Sequence, residues 1–373
     1  MKKTLLGATA LAGGLALASA AQAQSLDPIK VSGFQYTYWA YVSEDLDSAP
    51  LSTKKRADTI TTDTEIEFTV RGSDESGLSW GAQVELNGAD TSGGASNLDD
   101  NYLWIANEAM WGRFEFGTRD GAKNRMHFGT PVNYGYDGGI NGTWFNATFP
   151  AGNNGWVAYR GNNIGRATKA TYFTPRFADG IIQFGASYSP DRRNGDQTLA
   201  RTTAGARQGN IELGANAIIP AGDASVRLSA GYYHADQPTT AAAAEDFRTY
   251  HIGANVKFGR LEVGATWATN GESGQTKTDP FKSDAEVISA GVSYGAWGDF
   301  RVGAAASFSE NAGSTTVAGD DEATIYNVGG DYHFLPGMMV FSELSFISWE
   351  DEASTATAEN DATVFALGFA VNF

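Results

Sequence analysis

Thr363-Val364-Phe365-Ala366-Leu367-Gly368-Phe369-Ala370-Val371-Asn372-Phe373 closes the chain and decides how the rest of it reads. Thr363, Phe365, Leu367, Phe369, Val371 and Phe373 share one parity, and Val364, Ala366, Gly368, Ala370 and Asn372 share the other. A helix would scatter these residues around its axis, whereas a strand sends alternate side chains to opposite faces. The same period of two recurs upstream. Ile66, Phe68 and Val70 alternate with Glu65, Glu67, Thr69 and Arg71. Leu261, Val263, Ala265 and Trp267 alternate with Arg260, Glu262, Gly264 and Thr266, and Phe300, Val302 and Ala304 with Arg301, Gly303 and Ala305.

Working back from the last segment gives about sixteen strands. They centre on Tyr36, Phe68, Gln83, Trp104, Phe116, Thr171, Phe184, Leu213, Leu228, Ile252, Val263, Ala290, Ala304, Val328, Phe341 and Leu367. The signal is weakest at Trp104 and Phe341, where large apolar residues occupy both parities. The connections alternate in length. Tight ones fall at 73–77, 111–112, 178–180, 220–223, 259, 296–299 and 335–337. Long polar ones fall at 43–61, 88–99, 121–165, 190–208, 236–245, 270–282, 311–321 and 350–360. Short turns on one rim and long loops on the other suit a membrane barrel; a soluble sandwich or propeller has no reason for this alternation.

About sixteen strands close into a barrel too wide for side chains to fill. The polar face then lines water, the apolar face meets lipid, and closure satisfies the backbone groups that a bilayer leaves no water to satisfy. The expected fold is therefore all-β: a transmembrane antiparallel barrel with short periplasmic turns and long extracellular loops. Tyr36, Tyr38, Trp39, Tyr41, Tyr188, Tyr232, Tyr233, Trp267, Tyr294, Trp297, Tyr332 and Phe334 cluster near strand ends, where interface girdles would sit.

The amino-terminal stretch reads as an export signal. Lys2 and Lys3 precede an apolar run from Leu5 to Ala20, and Ala21-Gln22-Ala23 fits a small-x-small cleavage site. We expect residues 1–23 to be removed and residues 24–373 to form one barrel domain. The run is too short for a membrane-spanning helix. The chain has no cysteine, which excludes disulfides, thiolate zinc sites and a cysteine nucleophile. The formal charge of −17 becomes −19 without Lys2 and Lys3, and such a chain repels nucleic acid. Gly291-Val292-Ser293-Tyr294-Gly295 matches a nucleophile-elbow pattern, but that elbow needs a helix after its turn, and here another strand follows at Asp299. His127, His234, His251 and His333 are dispersed without metal-ligand spacing. An enzyme is not expected.

The stretch Lys169 to Asp191, K-A-T-Y-F-T-P-R-F-A-D-G-I-I-Q-F-G-A-S-Y-S-P-D, resembles a hairpin of the Gram-negative general diffusion porins. Gly112 to Gly121, G-R-F-E-F-G-T-R-D-G, looks like that family's strand before its constriction loop. The terminal Phe373, with apolar residues at alternate positions before it, is similar to the signal read by the barrel-assembly machinery. The resemblance implies a sixteen-stranded homotrimer in the bacterial outer membrane, in contact with lipid and lipopolysaccharide. It implies a third long loop folded into the lumen, and passive passage of small hydrophilic solutes and ions.

The 121–165 segment is far beyond ordinary loop length and holds Phe128, Tyr134, Tyr136, Trp144, Phe145, Phe149, Trp156 and Tyr159. Such rings suit packing inside a barrel better than a flap over its mouth. In the family the loop carries acidic residues facing wall arginines. Here it has Asp137, with Asp120 at its entrance, against Lys123, Arg125 and Arg160. Parity places Arg71, Arg113, Arg119, Lys169, Arg227, Arg260 and Arg301 on the lumen face. It places Glu65, Glu67, Glu85, Glu115, Glu212, Glu262 and Asp331 there too. The expected pore-lining set is Arg71, Arg113, Arg119, Asp120, Lys123, Arg125, Asp137, Lys169, Arg227 and Arg301, although cross-strand ion pairing would explain each wall residue as well. Near-balanced charge predicts weak ion selectivity, leaning to cations. No cofactor is expected beyond Ca²⁺ at outer acidic clusters such as Asp99–Asp100, Asp320–Glu322 and Glu350–Glu352, where plain solvation is the alternative.

Overall fold

The computed structural model describes residues 25–45, 57–88, 98–135, 139–141, 148, 150, 155–191, 207–237, 244–296, 299–313, 316–352 and 359–373. The proposed signal, its cleavage site, Asp137, Tyr136, Trp144, Phe145, Phe149 and Trp297 lie outside them.

The strands run in chain order as β1 (Ser25–Leu26), β2 (Lys30–Glu44), β3 (Asp58–Ser73), β4 (Ser79–Asn87), β5 (Leu98–Asn107), β6 (Gly112–Thr118), β7 (Thr168–Phe173), β8 (Ile182–Asp191) and β9 (Gln208–Ala221). They continue as β10 (Ala224–Asp236), β11 (Phe247–Phe258), β12 (Leu261–Gly271), β13 (Ala285–Ala296), β14 (Phe300–Ala312), β15 (Asp320–Leu335), β16 (Met338–Glu350) and β17 (Asn360–Asn372). Each strand from β2 onward pairs antiparallel with the next, and β17 pairs back on β2 with Leu367 opposite Trp39. The result is a closed barrel of sixteen strands with no free edge in its wall. All sixteen inferred centres fall in separate barrel strands. The exception to the reading is β1, a two-residue strand that joins β3 through Ser25 opposite Ser73.

Alternation has the expected orientation. In β17, Phe365, Leu367, Phe369 and Val371 are exposed, while Ala362, Val364, Ala366 and Ala370 are buried against material inside the barrel. The two weak strands carry large residues on both faces for a physical reason. Trp104 and Phe341 point inward, where Trp104 packs with Tyr102, and Phe341 with Tyr36 and Tyr38. Tyr36, Tyr38 and Tyr233 therefore leave the expected girdle. Tyr36 and Tyr38 stand opposite the buried Ala370 and Gly368, and Tyr233 is fully buried inside. Trp39, Tyr41, Tyr188, Tyr232, Tyr294 and Tyr332 keep the outward position.

Turn chemistry fixes the registers. Asp74 Oδ1 accepts from the Ser76 and Leu78 amides, and the Ser76 bonds hold this carboxyl below its usual range. Ala178 and Asp179 both adopt positive φ (50° and 57°) before Gly180 in the β7–β8 turn, a conformation that tight hairpins reward despite its cost for residues with a Cβ.

Candidate pore constriction

The loop between β6 and β7 enters the barrel at Gly121, turns through the short helix α1 (Ala122–Arg125), and runs along the inner wall. Its hydrogen bonds reach every strand from β8 to β17. The outgoing leg meets Ser187, Glu212, Asn216, Ser229, Asn255, Thr266, Ser289 and Asp331 in turn. Trp349 and Asn360 both bond Thr148, Ser309 holds Gly155, and Asn270 holds Asn162 on the way back. Tyr134, Ile140 and Tyr159 bury their side chains against inward residues of β2 and of β14 to β17.

Three inward glycines let the loop come so close. A Cβ on Gly253 would lie 2.0 Å from the Phe128 carbonyl oxygen, one on Gly264 2.2 Å from that of Gly129, and one on Gly303 2.1 Å from the Tyr134 ring. The loop backbone occupies the space where side chains would otherwise stand.

Glu212 clasps both ends of the loop. Its Oε2 accepts from the Lys123 amide (3.1 Å) and its Oε1 from the Ile164 amide (2.7 Å). Lys123 is 0 % exposed, and its ammonium donates to the Arg160 and Asn162 carbonyls, the latter at 2.9 Å. Burial pushes this ammonium down to about 7 against the upward pull of Glu212. Burial, aided by His251, Arg160 and Lys123, pushes His127 down to about 2, and His127 shares Thr266 with the loop backbone. Lys169 is likewise a staple, donating to the Arg119 carbonyl and to that of Gly165 at 2.8 Å.

The inner charges that remain in reach of water gather around Glu115 on β6. Arg113 and Arg125 both donate to its carboxylate, and Arg119 lies 3.7 Å away. Each guanidinium stacks on a ring: Arg113 on Trp104, Arg119 on Tyr102, and Arg125 on Phe173. Such stacking holds a planar cation in place. The Glu115 side chain is only 4 % exposed, beneath arginines exposed by 22 to 30 %. The face presented to water is therefore cationic.

The other expected residues are scattered. Arg227 lies 3.7 Å from Glu262, and Arg301 bonds Asp331, which also accepts from the Gly135 amide. Asp120 is half-buried at the loop entrance, and Arg71 is exposed near the turn end of β3. Nine of the ten are among the described residues, and they resolve into one cluster (Arg113, Arg119, Arg125), two buried staples (Lys123, Lys169), Asp120 at the loop entrance and separate wall positions for Arg71, Arg227 and Arg301; Asp137 lies outside the described residues. Parity put Glu115 on the lumen face without showing its role, and it missed Arg166. Glu115 is a hub, and Arg166, just past the loop, pairs with Asp99 and Asp100. Asp99 and Asp100, expected on the outer rim, belong to β5 and stand beside Glu65 and Glu85 inside.

A closed barrel whose longest loop is laid inside its lumen defines a membrane channel. The family model described as Gram-negative porin matches residues 7–352, and the chain belongs to this family. It is an outer-membrane porin, a channel and not an enzyme. No curated protein matches it in sequence. OmpT of the outer membrane of Vibrio cholerae, folded in vitro in its trimer form, superposes with a TM-score of 0.61 at 15 % identity, covering 94 % of this chain and 100 % of that one. A variant of Rh. blastica porin superposes with a TM-score of 0.60 at 18 % identity, covering 93 % and 100 %. These likenesses concern the fold.

Proposed function

We propose that the channel is a general diffusion path for small hydrophilic solutes and ions, weakly ion selective with a lean to cations, in a homotrimer. The observation that carries this reading is the loop's course. Its bonds reach ten consecutive strands, from β8 to β17. The passage then runs beside a bare wall bearing Glu65, Glu67, Glu85 and Arg71, with the Arg113–Arg119–Arg125 cluster next to it. Opposed signs in close quarters keep selectivity weak. Acidic outer loops enrich cations at the mouth. The trimer form of the Vibrio cholerae protein supports the assembly.

Planar-bilayer recordings test the reading. Deleting 141–154 raises single-channel conductance if the loop narrows the path. Unchanged conductance would return the path to some other part of the lumen. Light scattering in mild detergent reads the trimer, and a monomeric mass would refute it.

Phe373 is proposed as the assembly signal. Its amide donates to the Gly33 carbonyl at 3.0 Å, and the Gly33 amide donates back at 2.9 Å. Deleting Phe373 removes two seam bonds together with the terminal ring. We expect lower barrel levels in the outer membrane with unchanged pore conductance; wild-type levels in a deletion strain would defeat this assignment.

A further inference from the structure

We propose that a groove on the lipid-facing wall, running across β8 to β12, holds an aminophospholipid, with its phosphate on Arg248 and its ammonium at Glu286. The groove is an apolar cavity of about 760 Å³. Its floor is Ala186, Ala215 and Ala230, which face outward in register with larger neighbours. Ala186 stands opposite Tyr172 and Leu213, Ala215 opposite Phe184, and Ala230 opposite Ile252. Side chains that stop at Cβ leave a trough between Phe184, Leu213, Tyr232 and Ile252. A trough of this volume admits hydrocarbon chains. Chain packing alone selects no particular lipid, because one hydrocarbon tail is as apolar as another. Selection must come from the polar end.

Toward the rim of the long loops, Tyr250 and Trp267 line both the groove and a polar pocket of about 450 Å³, so the two are continuous. Arg248 is the next outward residue above Tyr250, whose ring lies 5.1 Å from that of Tyr232. The Arg248 side chain is exposed and forms no ion pair among the described residues. The acids around it have other partners: Asp236 pairs with His234, Glu245 and Glu272 with Lys282, and Asp246 accepts from the Gln237 amide. An exposed guanidinium above a ring pair at the headgroup level is a fork for a phosphate. Yet the pocket wall also carries Glu245, Asp246, Glu272, Asp284 and Glu286. That surplus repels a purely anionic headgroup, and it repels a second copy of this chain, whose own charge is −17. A zwitterionic headgroup brings its own cation. Glu286 lies two strands from β11, with Thr269 between it and Tyr250, which is roughly 10 Å of backbone separation. The long side chains of Arg248 and Glu286 can share that gap with a phosphate and an ethanolamine arm, and Trp267 Nε1 donates to Glu286 Oε2 at 3.4 Å beside it.

The test is native mass spectrometry of the full-length barrel in detergent, stripped of lipid and then offered phosphatidylethanolamine, phosphatidylglycerol or lipid A, with retained lipid counted per chain. We expect wild type to retain phosphatidylethanolamine about tenfold more tightly than phosphatidylglycerol. Arg248→Ala should weaken that retention about tenfold, and Ala230→Leu, which fills the trough, by a similar factor. Glu286→Gln should erase the preference over phosphatidylglycerol. Ala290→Leu, on the same lipid-facing belt outside the groove, should change nothing. Leucine at a lipid-facing position leaves the barrel interior intact, so Ala230→Leu decides the matter if Arg248→Ala does not assemble. Equal retention of the two phospholipids by wild type overturns the site. So does retention that survives either Arg248→Ala or Ala230→Leu, or a preference that survives Glu286→Gln. Tighter retention of lipid A, lost in Arg248→Ala, would make the occupant an anionic glycolipid, and association of chains that Ala230→Leu abolishes would make it a second copy; either result also overturns the proposal.

Discussion

The inner wall has two halves that solve different problems. From β8 to β17 it is built for contact. Hydroxyls and amides such as Ser187, Ser229, Asn255 and Thr266 meet the loop backbone, and Gly253, Gly264 and Gly303 make room for it. On β3 and β4 it is built for water, and there the inward positions carry Glu65, Glu67, Arg71 and Glu85. One barrel face thus supports opposite chemistries according to whether protein or water lies against it. In the covered half every buried loop carbonyl and amide needs a partner, because it has left solvent. In the bare half Glu65, Glu67 and Arg71 keep contact with water, which lowers the cost of their charges, while Glu85 is buried.

The comparison breaks first if the glycine footprint is filled. Gly253→Ala with Gly264→Ala puts two methyl groups into the Phe128 and Gly129 carbonyls, so the loop must lift there. The bonds at risk are the pair between Phe128 and Ser229 and the one from Asn255 to Gly129. They contribute about 1 kcal/mol each. Single-channel conductance should rise and become more variable, and the loop should become sensitive to protease. Thr69→Val, on β3 of the opposite wall, should leave conductance as it was. Equal conductance in the glycine variant and wild type would mean that the docked loop is not what narrows the path.

A smaller effect is expected from charge. Arg125→Gln removes one cation from the group over Glu115 and leaves that carboxylate with Arg113 and Arg119. The permeability ratio should move toward cations by roughly twofold, with the larger displacement of reversal potential at low salt, where screening is weak. Glu67→Gln, on the bare wall beside Ser32, should move the reversal potential the other way and by less. A shift of the same sign in both variants would show that these residues act through barrel shape and not through their charge.

The barrel was legible because its signal is repeated. Period two in sixteen segments, with short and long connections in alternation, has few other readings. The tenancy of the lumen was not legible. Tyr38 and Tyr233 share the composition of girdle rings, and only the parity of Gly368 and of Glu212 opposite them shows that they turn inward. Inward glycines at 253, 264 and 303 were visible as letters, yet a glycine in a strand reads equally as weakness or as a bulge. Their meaning depends on a loop more than a hundred residues earlier. Arg166 carried no periodicity at all.

Lys123 sharpens the contrast from the other side, because it is a loop cation with no access to water. Like Arg125, it belongs to the expected pore-lining set. The two share one turn of α1, but Arg125 reaches the exposed arginine group while Lys123 is sealed between the two legs of the loop. With its ammonium pushed down to about 7, Lys123 gains charge as pH falls from 8 to 6. If its field reached the passage, the reversal potential would move toward anions over that interval, and Lys123→Met would abolish the movement. We expect wild type and Lys123→Met to give the same reversal potential at pH 8 and at pH 6. The variant should differ instead in noisier open-channel current, since the bonds from its ammonium to Arg160 and Asn162 join the outgoing and returning legs. A wild-type shift toward anions at pH 6 that Lys123→Met lacks would place this buried ammonium within electrical reach of the ions, and burial would then not be what separates the staples from the pore-facing charges.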